Sequence, residues 1–199
     1  CLSRGLGDVY KRQSLTSVMN ITENKKFEQR LLVQSRMDAL TKICNRGYGE
    51  AQIEKLLKAK KNGMFLLFDV DKFKHINDTY GHSIGDEVLI QVADALKQTF
   101  EQAGVCMRLG GDEFAVYAPE ITEQMQAETM IQAFFERIRN IAIPQMEGDA
   151  ISVSLGAVLC APDREHVFEK VYQRADATMY TCKKVIGNSY DFYTGRNPA

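Results

Sequence analysis

The 199-residue chain is short of net charge: 25 Lys and Arg against 26 Asp and Glu leave −1 at pH 7. Without a basic field it has no electrostatic footprint for nucleic acid or an anionic membrane surface. A polyanionic substrate would have to be held by a bound cation and local donors. Paired cysteines are missing as well. Cys1, Cys44, Cys106, Cys160 and Cys182 are odd in number, scattered and without a CxxC pair, which speaks for reduced thiols in a cytoplasmic domain and against a disulfide framework or zinc knuckle. No apolar run approaches the roughly 20 residues of a membrane helix, and there is no internal repeat or low-complexity tract. The chain has neither an initiator Met nor a signal segment, so a piece of a longer protein is expected, with any membrane anchor lying elsewhere in it. At 45% hydrophobic and 26% charged, it has material for one well-buried core plus an appendage.

What is present centres on Arg108-Leu109-Gly110-Gly111-Asp112-Glu113-Phe114. Val105, Met107 and Leu109 alternate as apolar positions, and Phe114 to Tyr117 are β-rich. Gly110-Gly111 therefore falls where a tight hairpin turn needs positive φ. Two adjacent carboxylates at such a turn repel each other and persist most readily beside a cation; hard oxygen ligands suit Mg²⁺. By itself the tetrad also reads as an ordinary solvated turn. A second acidic element shifts that balance. Phe65-Leu66-Leu67-Phe68-Asp69-Val70-Asp71 is an unbroken apolar run ending in two acids, the pattern of a strand buried on both faces whose end opens into a site. One aspartate there would serve as a helix cap; two, with the hairpin pair, favour a metal site.

Periodicity predicts a helix from Asn45 to about Lys61, a strand at Met64–Asp69, a helical turn at Lys72–Asp78 and a long helix at Ser83–Phe100. The hairpin strands follow, then a helix from Glu123 to about Ile141. Its Met125, Met130, Ile131, Phe134, Phe135 and Ile138 are expected in the core. A strand at Ile151–Leu159, a helix at His166–Lys184 and a short strand at Tyr190–Tyr193 complete the order. Such an order fits a ferredoxin-like α+β sheet.

Beyond these patterns, the chain resembles the GGDEF family of diguanylate cyclases from Asp38 onward. The likeness is carried by Asp38-Ala39-Leu40-Thr41-Lys42-Ile43-Cys44-Asn45-Arg46, by Phe68 to His82 with Gly85-Asp86, by the acidic hairpin, by Val153-Ser154-Leu155-Gly156-Ala157, and by Ala175 to Tyr180 with Lys183. It implies an α+β, polymerase-palm-like and nucleotide-cyclase-like fold: a mostly antiparallel five-stranded sheet flanked by helices. Ser17 to Glu28 resembles the last strand of a PAS sensor domain running into its exit helix. The domains expected are thus an unassigned tail over 1–16, the end of an upstream sensor with a signalling helix or linker over 17–37, and a GGDEF domain over 38–199.

The resemblance implies that two GTP are condensed to cyclic di-GMP and two pyrophosphates, with Mg²⁺ (or Mn²⁺) on Asp69, the Val70 carbonyl and Asp112. Glu113 is expected at a second metal or at the 3′-proton, and the sequence does not choose between them. Asp71 is implied to be structural. Asp86 and Asn77 match residues that read guanine, whose donors suit an ionised carboxylate and an amide; His82 matches a position lining the base pocket and reads equally as an exposed helix-start histidine. For the triphosphate, backbone N–H groups around Lys72 and Phe73 suit phosphate oxygens, and Lys74 and Lys183 match phosphate-approaching positions. Each domain holds one half-site, so a homodimer is implied.

Two departures stand out. Many relatives follow the final-helix lysine with a glycine and an arginine, whereas this chain reads Lys183-Lys184-Val185-Ile186-Gly187-Asn188; a lysine lacks arginine's fork. The Arg-x-x-Asp of product-inhibited relatives is replaced by Glu101 and Gly104. The rival readings are a catalytically silent GGDEF module that binds GTP or a protein partner and relays a signal, and a dimerising structural output domain.

Overall fold

A computed structural model describes residues 35–146, 148–160 and 167–195. The sensor-like remnant and the tail before it lie outside the described residues, except for the last few positions of the linker. From Met37 onward the chain is one compact unit.

The elements run β1 (Cys44–Asn45), α1 (Arg46–Lys58), β2 (Gly63–Val70), α2 (Phe73–Tyr80), α3 (His82–Phe100), β3 (Val105–Gly110), β4 (Glu113–Pro119), α4 (Gln124–Arg139), β5 (Val153–Cys160), α5 (Phe168–Cys182) and β6 (Ser189–Phe192). They form one sheet in the order β1-β3-β4-β2-β5-β6. The three central pairings are antiparallel, while the edge strands β1 and β6 run parallel to β3 and β5. The α+β, mostly antiparallel sheet expected from the sequence is present, with six strands in place of five. The additional strand is the two-residue β1, too short for an alternation to register in a sequence.

β2 is buried along its whole length because both its faces are covered. Met64, Leu66, Phe68 and Val70 point to the side holding α3 and α4, where Phe68 stacks on Phe114 at 5.3 Å and meets Phe134 at 5.1 Å. Phe65 and Leu67 point to the side holding α1 and α5, among Ile53, Val171, Ala175 and Met179. With a side-chain period of two, Asp69 falls on the α1/α5 side, and so does its cross-strand partner Glu113. α4 buries Ala127, Ile131, Phe134, Phe135 and Ile138. Met125, expected in the core, is 77% exposed. Ala127 takes the core position of that first turn, and a residue two places earlier points to the opposite face.

α5 reaches the sheet at Gly156 of β5. A Cβ there would overlap the Ala175 carbonyl and sit 2.7 Å from the Met179 amide nitrogen, so only glycine admits the helix backbone this close. That contact sets where the C-terminal end of α5, and hence Lys183, stands relative to the tip of β2.

Candidate active site

The site is built where β2 ends and the β3–β4 hairpin turns. Gly110 (φ 151) and Gly111 (φ 54) take the positive-φ conformations expected of the turn, and the ladder shifts register between Arg108 and Gly110. The Val70 amide donates to the Asp112 carbonyl at 3.2 Å, tying the hairpin to the tip of β2. Asp69 opposes Glu113 in register. These three carboxylates thus come from two strand ends and a turn between paired strands.

Asp69 is 6% exposed. Its Oδ2 accepts from Lys183 Nζ, while its Oδ1 is buried with no hydrogen-bond partner. Burial raises the affinity of Asp69 for a proton; Lys183 opposes this and the charges of Asp112 and Asp71 add to it, leaving its pKa above the usual carboxylate range. Glu113 is raised too, by burial first and then by Asp112, Asp69 and Asp176. Lys183 is held more firmly protonated by its bond to Asp69. Asp71, beyond the end of β2, accepts from Ser152 Oγ at 2.6 Å and Ser154 Oγ at 2.7 Å. Its oxygens are engaged in tying β2 to β5, which agrees with a structural role.

A buried, partnerless carboxylate oxygen beside two further acids fits a hard cation. Among the described residues no three His, Cys, Asp or Glu side chains are arranged to hold a metal ion. Mg²⁺ rarely uses an all-protein cage: it is held by one or two carboxylates and completed by water and phosphate oxygens. The donors present suit that mode, with Asp69, the Val70 carbonyl, Asp112 and Glu113 as the available set.

Beside Asp69 lies a cleft of about 750 Å³ whose lining includes Val70, Phe73, Lys74, Asp112 and Lys183. The first turn of α2 lines it, and so does Tyr80 at the other end of that helix. Lys72 precedes the helix in a left-handed conformation (φ 55), no side chain caps the helix, and the Ile76 amide makes the bond back to Lys72. The amides of Phe73, Lys74 and His75 are therefore without intrahelical acceptors and suited to anions. Tyr80 Oη donates to Asp149 Oδ2 at 2.6 Å across the same cleft. Glu113 and Lys183 also border a smaller cleft of about 300 Å³ with Asp176 and Tyr180.

The predicted base-reading residues lie apart from the large cleft's lining. His82 and Asp86 are exposed near the start of α3, and Asn77 is half-buried on α2. Asn77 Oδ1 lies against Gly85, where any Cβ would overlap it, so α2 and α3 are in intimate contact beside Asp86. Sequence reasoning left Arg108 without a role. It clamps the hairpin: Nε and Nη2 donate to the Gly111 carbonyl at 3.0 and 2.7 Å, and Nη1 to Asp38 Oδ1 at 3.1 Å. Asp38 in turn accepts from the Thr41 amide and hydroxyl, and Asn45 caps α1 through the Tyr48 amide. The opening motif is thus a folded turn that braces the hairpin. Its spacing of acid, hydroxyl and amide is a turn-and-cap signal, but the partner Arg108 has none in sequence.

Residues 35–189, every element of this site included, match the family described as diguanylate cyclase, GGDEF domain. The chain belongs to the GGDEF domain family. It is 35% identical over 170 residues to diguanylate cyclase DosC of Escherichia coli, covering 79% of this chain and 35% of DosC. It is 30% identical over 179 residues to the probable diguanylate cyclase DgcC of the same species, covering 86% and 47%. The chain thus spans less than half the length of these relatives. The coiled coil and GGDEF domain of Caulobacter crescentus DgcB, solved with c-di-GMP, superposes with a TM-score of 0.82 at 21% identity over 92% of this chain and 98% of that one. The DgcB GGDEF domain alone gives 0.72 at 25% identity, covering 80% and 96%. This GGDEF domain therefore has the nucleotide-cyclase-like fold. No helix among its described residues is long and apolar enough to cross a membrane.

Proposed function

We propose that this chain is an active diguanylate cyclase domain that condenses two GTP into cyclic di-GMP and two pyrophosphates, as the output of a cytoplasmic signalling protein with an upstream sensor module. The observation that carries the reading is the buried, partnerless Oδ1 of Asp69, at the mouth of a cleft that also presents the free amides of α2. In this reading Asp86 and Asn77 accept and donate to the guanine edge, with His82 beside them. Phe73 and Lys74 amides, the Lys74 ammonium and Lys183 hold the triphosphate. Bound Mg²⁺, or Mn²⁺, on Asp69, the Val70 carbonyl, Asp112 and Glu113 would neutralise charge on the phosphates. Glu113, made more basic by its burial and acidic neighbours, either completes that set or accepts the 3′-proton. A second domain in a homodimer brings the second nucleotide.

A second reading, a silent module that binds GTP or a partner protein, is favoured by one observation: Lys183 is spent on Asp69, and the run directly after it, Lys184-Val185-Ile186-Gly187-Asn188, holds no arginine. Incubation with GTP and Mg²⁺ separates the two. Active protein yields cyclic di-GMP, and Asp69→Asn or Asp112→Asn lowers the rate more than about a thousandfold with the fold intact. GTP binding without product supports the silent module.

A further inference from the structure

Lys183 stands at the junction of the two clefts and is, among the described residues, the one that borders both the 750 Å³ cleft and the 300 Å³ cleft. Its backbone is fixed, being the C-cap of α5 with its amide bonded to the Met179 carbonyl, on a helix seated against Gly156. Its side chain is the movable half of the pair. The Lys183 side chain is 43% exposed, against 9% for Asp69. The ammonium sits at the edge of water, while the carboxylate cannot leave.

The pair is also incomplete. A lysine offers a point charge to one oxygen, and Asp69 Oδ1 stays buried and unpartnered. A divalent cation would satisfy that oxygen, yet it would meet the Lys183 ammonium on the same carboxylate, and two cations a few ångströms apart in a half-dry site repel strongly. Lys183 must depart before such an ion settles. Asp69 is the only carboxylate to which it is bonded among the described residues. A triphosphate in the large cleft gives it another anion to move to.

We propose that Lys183 is a substrate-displaced plug of the cation site: it neutralises Asp69 in the resting protein, keeps divalent metal out, and yields the carboxylate when a metal-bound nucleoside triphosphate arrives. This rests on the cyclase reading of the same site, and it adds that metal and nucleotide bind as a coupled pair. The absent arginine at the end of α5 gives the device its logic, since one lysine serves both anions in turn.

The test is Mn²⁺ binding, read from the free-ion paramagnetic resonance signal, on the intact chain with and without 3′-deoxy-GTP, which lacks the hydroxyl to cyclise, each titration being corrected by the same metal and nucleotide without protein because the triphosphate itself binds Mn²⁺. Without nucleotide, Lys183→Met is expected to bind Mn²⁺ at least tenfold more tightly than the native protein, and Lys183→Arg, which keeps the charge, like the native protein. The nucleotide should strengthen Mn²⁺ binding at least tenfold in the native protein and less in Lys183→Met. Asp69→Asn should lose the tight site in both. Circular dichroism on each variant confirms the fold. Equal or weaker nucleotide-free affinity in Lys183→Met overturns the plug while leaving the cyclase reading intact. Native protein that takes up no Mn²⁺ even with the nucleotide overturns both.

Discussion

Arg108 and Asp38, 70 positions apart, are joined by a 3.1 Å bond from Nη1 to Oδ1, and the same guanidinium holds the Gly111 carbonyl with two further donors. The pair is largely sequestered, with side chains 13% and 25% exposed. Removing one partner strands the other's charge. Arg108→Ala is therefore expected to destabilise the domain by about 2 kcal/mol in urea unfolding. It should also loosen the hairpin that carries Asp112 and Glu113. Arg108→Lys keeps the charge but lacks the fork that spans Gly111 and Asp38, so it should recover less than half of the loss. Native-like stability for Arg108→Ala would show that the clamp is idle.

Stability in metal-free buffer should follow opposing carboxyls. Asp69 and Glu113 bind protons more tightly folded than unfolded. Their charged forms therefore oppose folding near neutral pH, and the opposition lifts as pH falls through the folded values toward the ordinary ones. Asp38 runs the other way. Burial pushes it up, but bonds from Thr41 and Arg108 outweigh that and hold it below 3.8. Its contribution is complete above that value and lost as pH falls through the folded one. Unfolding free energy should rise on mild acidification and drop at strongly acid pH. Asp69→Asn should flatten the first limb, since one buried carboxylate no longer has to be charged, and leave the second. An unaltered first limb would refute the assignment to Asp69.

Base choice provides an independent check on the α2–α3 surface. If Asp86 reads guanine as proposed, Asp86→Ser removes the acceptor for two guanine donors and should weaken preference for GTP over ATP by about 2 kcal/mol or more, as an unmatched polar edge does. Competition binding measures it directly. Unchanged discrimination would move the guanine site away from Asp86.

Product control should be absent at the positions where relatives carry Arg-x-x-Asp. Glu101 repels phosphate, and phosphate capture favours a bidentate arginine. Gly104 adds a steric bar: any Cβ there would overlap the Tyr117 carbonyl of β4. Micromolar cyclic di-GMP should neither bind there nor inhibit. Restoring the motif with Glu101→Arg and Gly104→Asp should cost about 2 kcal/mol of stability through the backbone clash without creating inhibition. Calorimetric titration of the product against the native and double-variant proteins decides it, and tight binding to either would overturn the argument.

The unbroken apolar run of β2, the paired glycines of the turn and the spacing on α4 are local properties of the chain. Backbone geometry with side-chain periods of 2 and 3.6 therefore made five of the six strands, the helices and the acid-bearing hairpin readable from residues in order. Even so, Met125 shows the limit, because periodicity names a face and not which turn of the helix first touches the core. The Arg108–Asp38 clamp, the Asp71 ties to Ser152 and Ser154, the Tyr80–Asp149 contact and the Lys183–Asp69 pair each join residues from separate elements. No spacing rule reaches across such gaps. Which charge meets which is set by the sheet order, by the register of β2 against β4 and β5, and by how closely α5 settles on Gly156. Those are consequences of burying both faces of one sheet, a property of the folded whole.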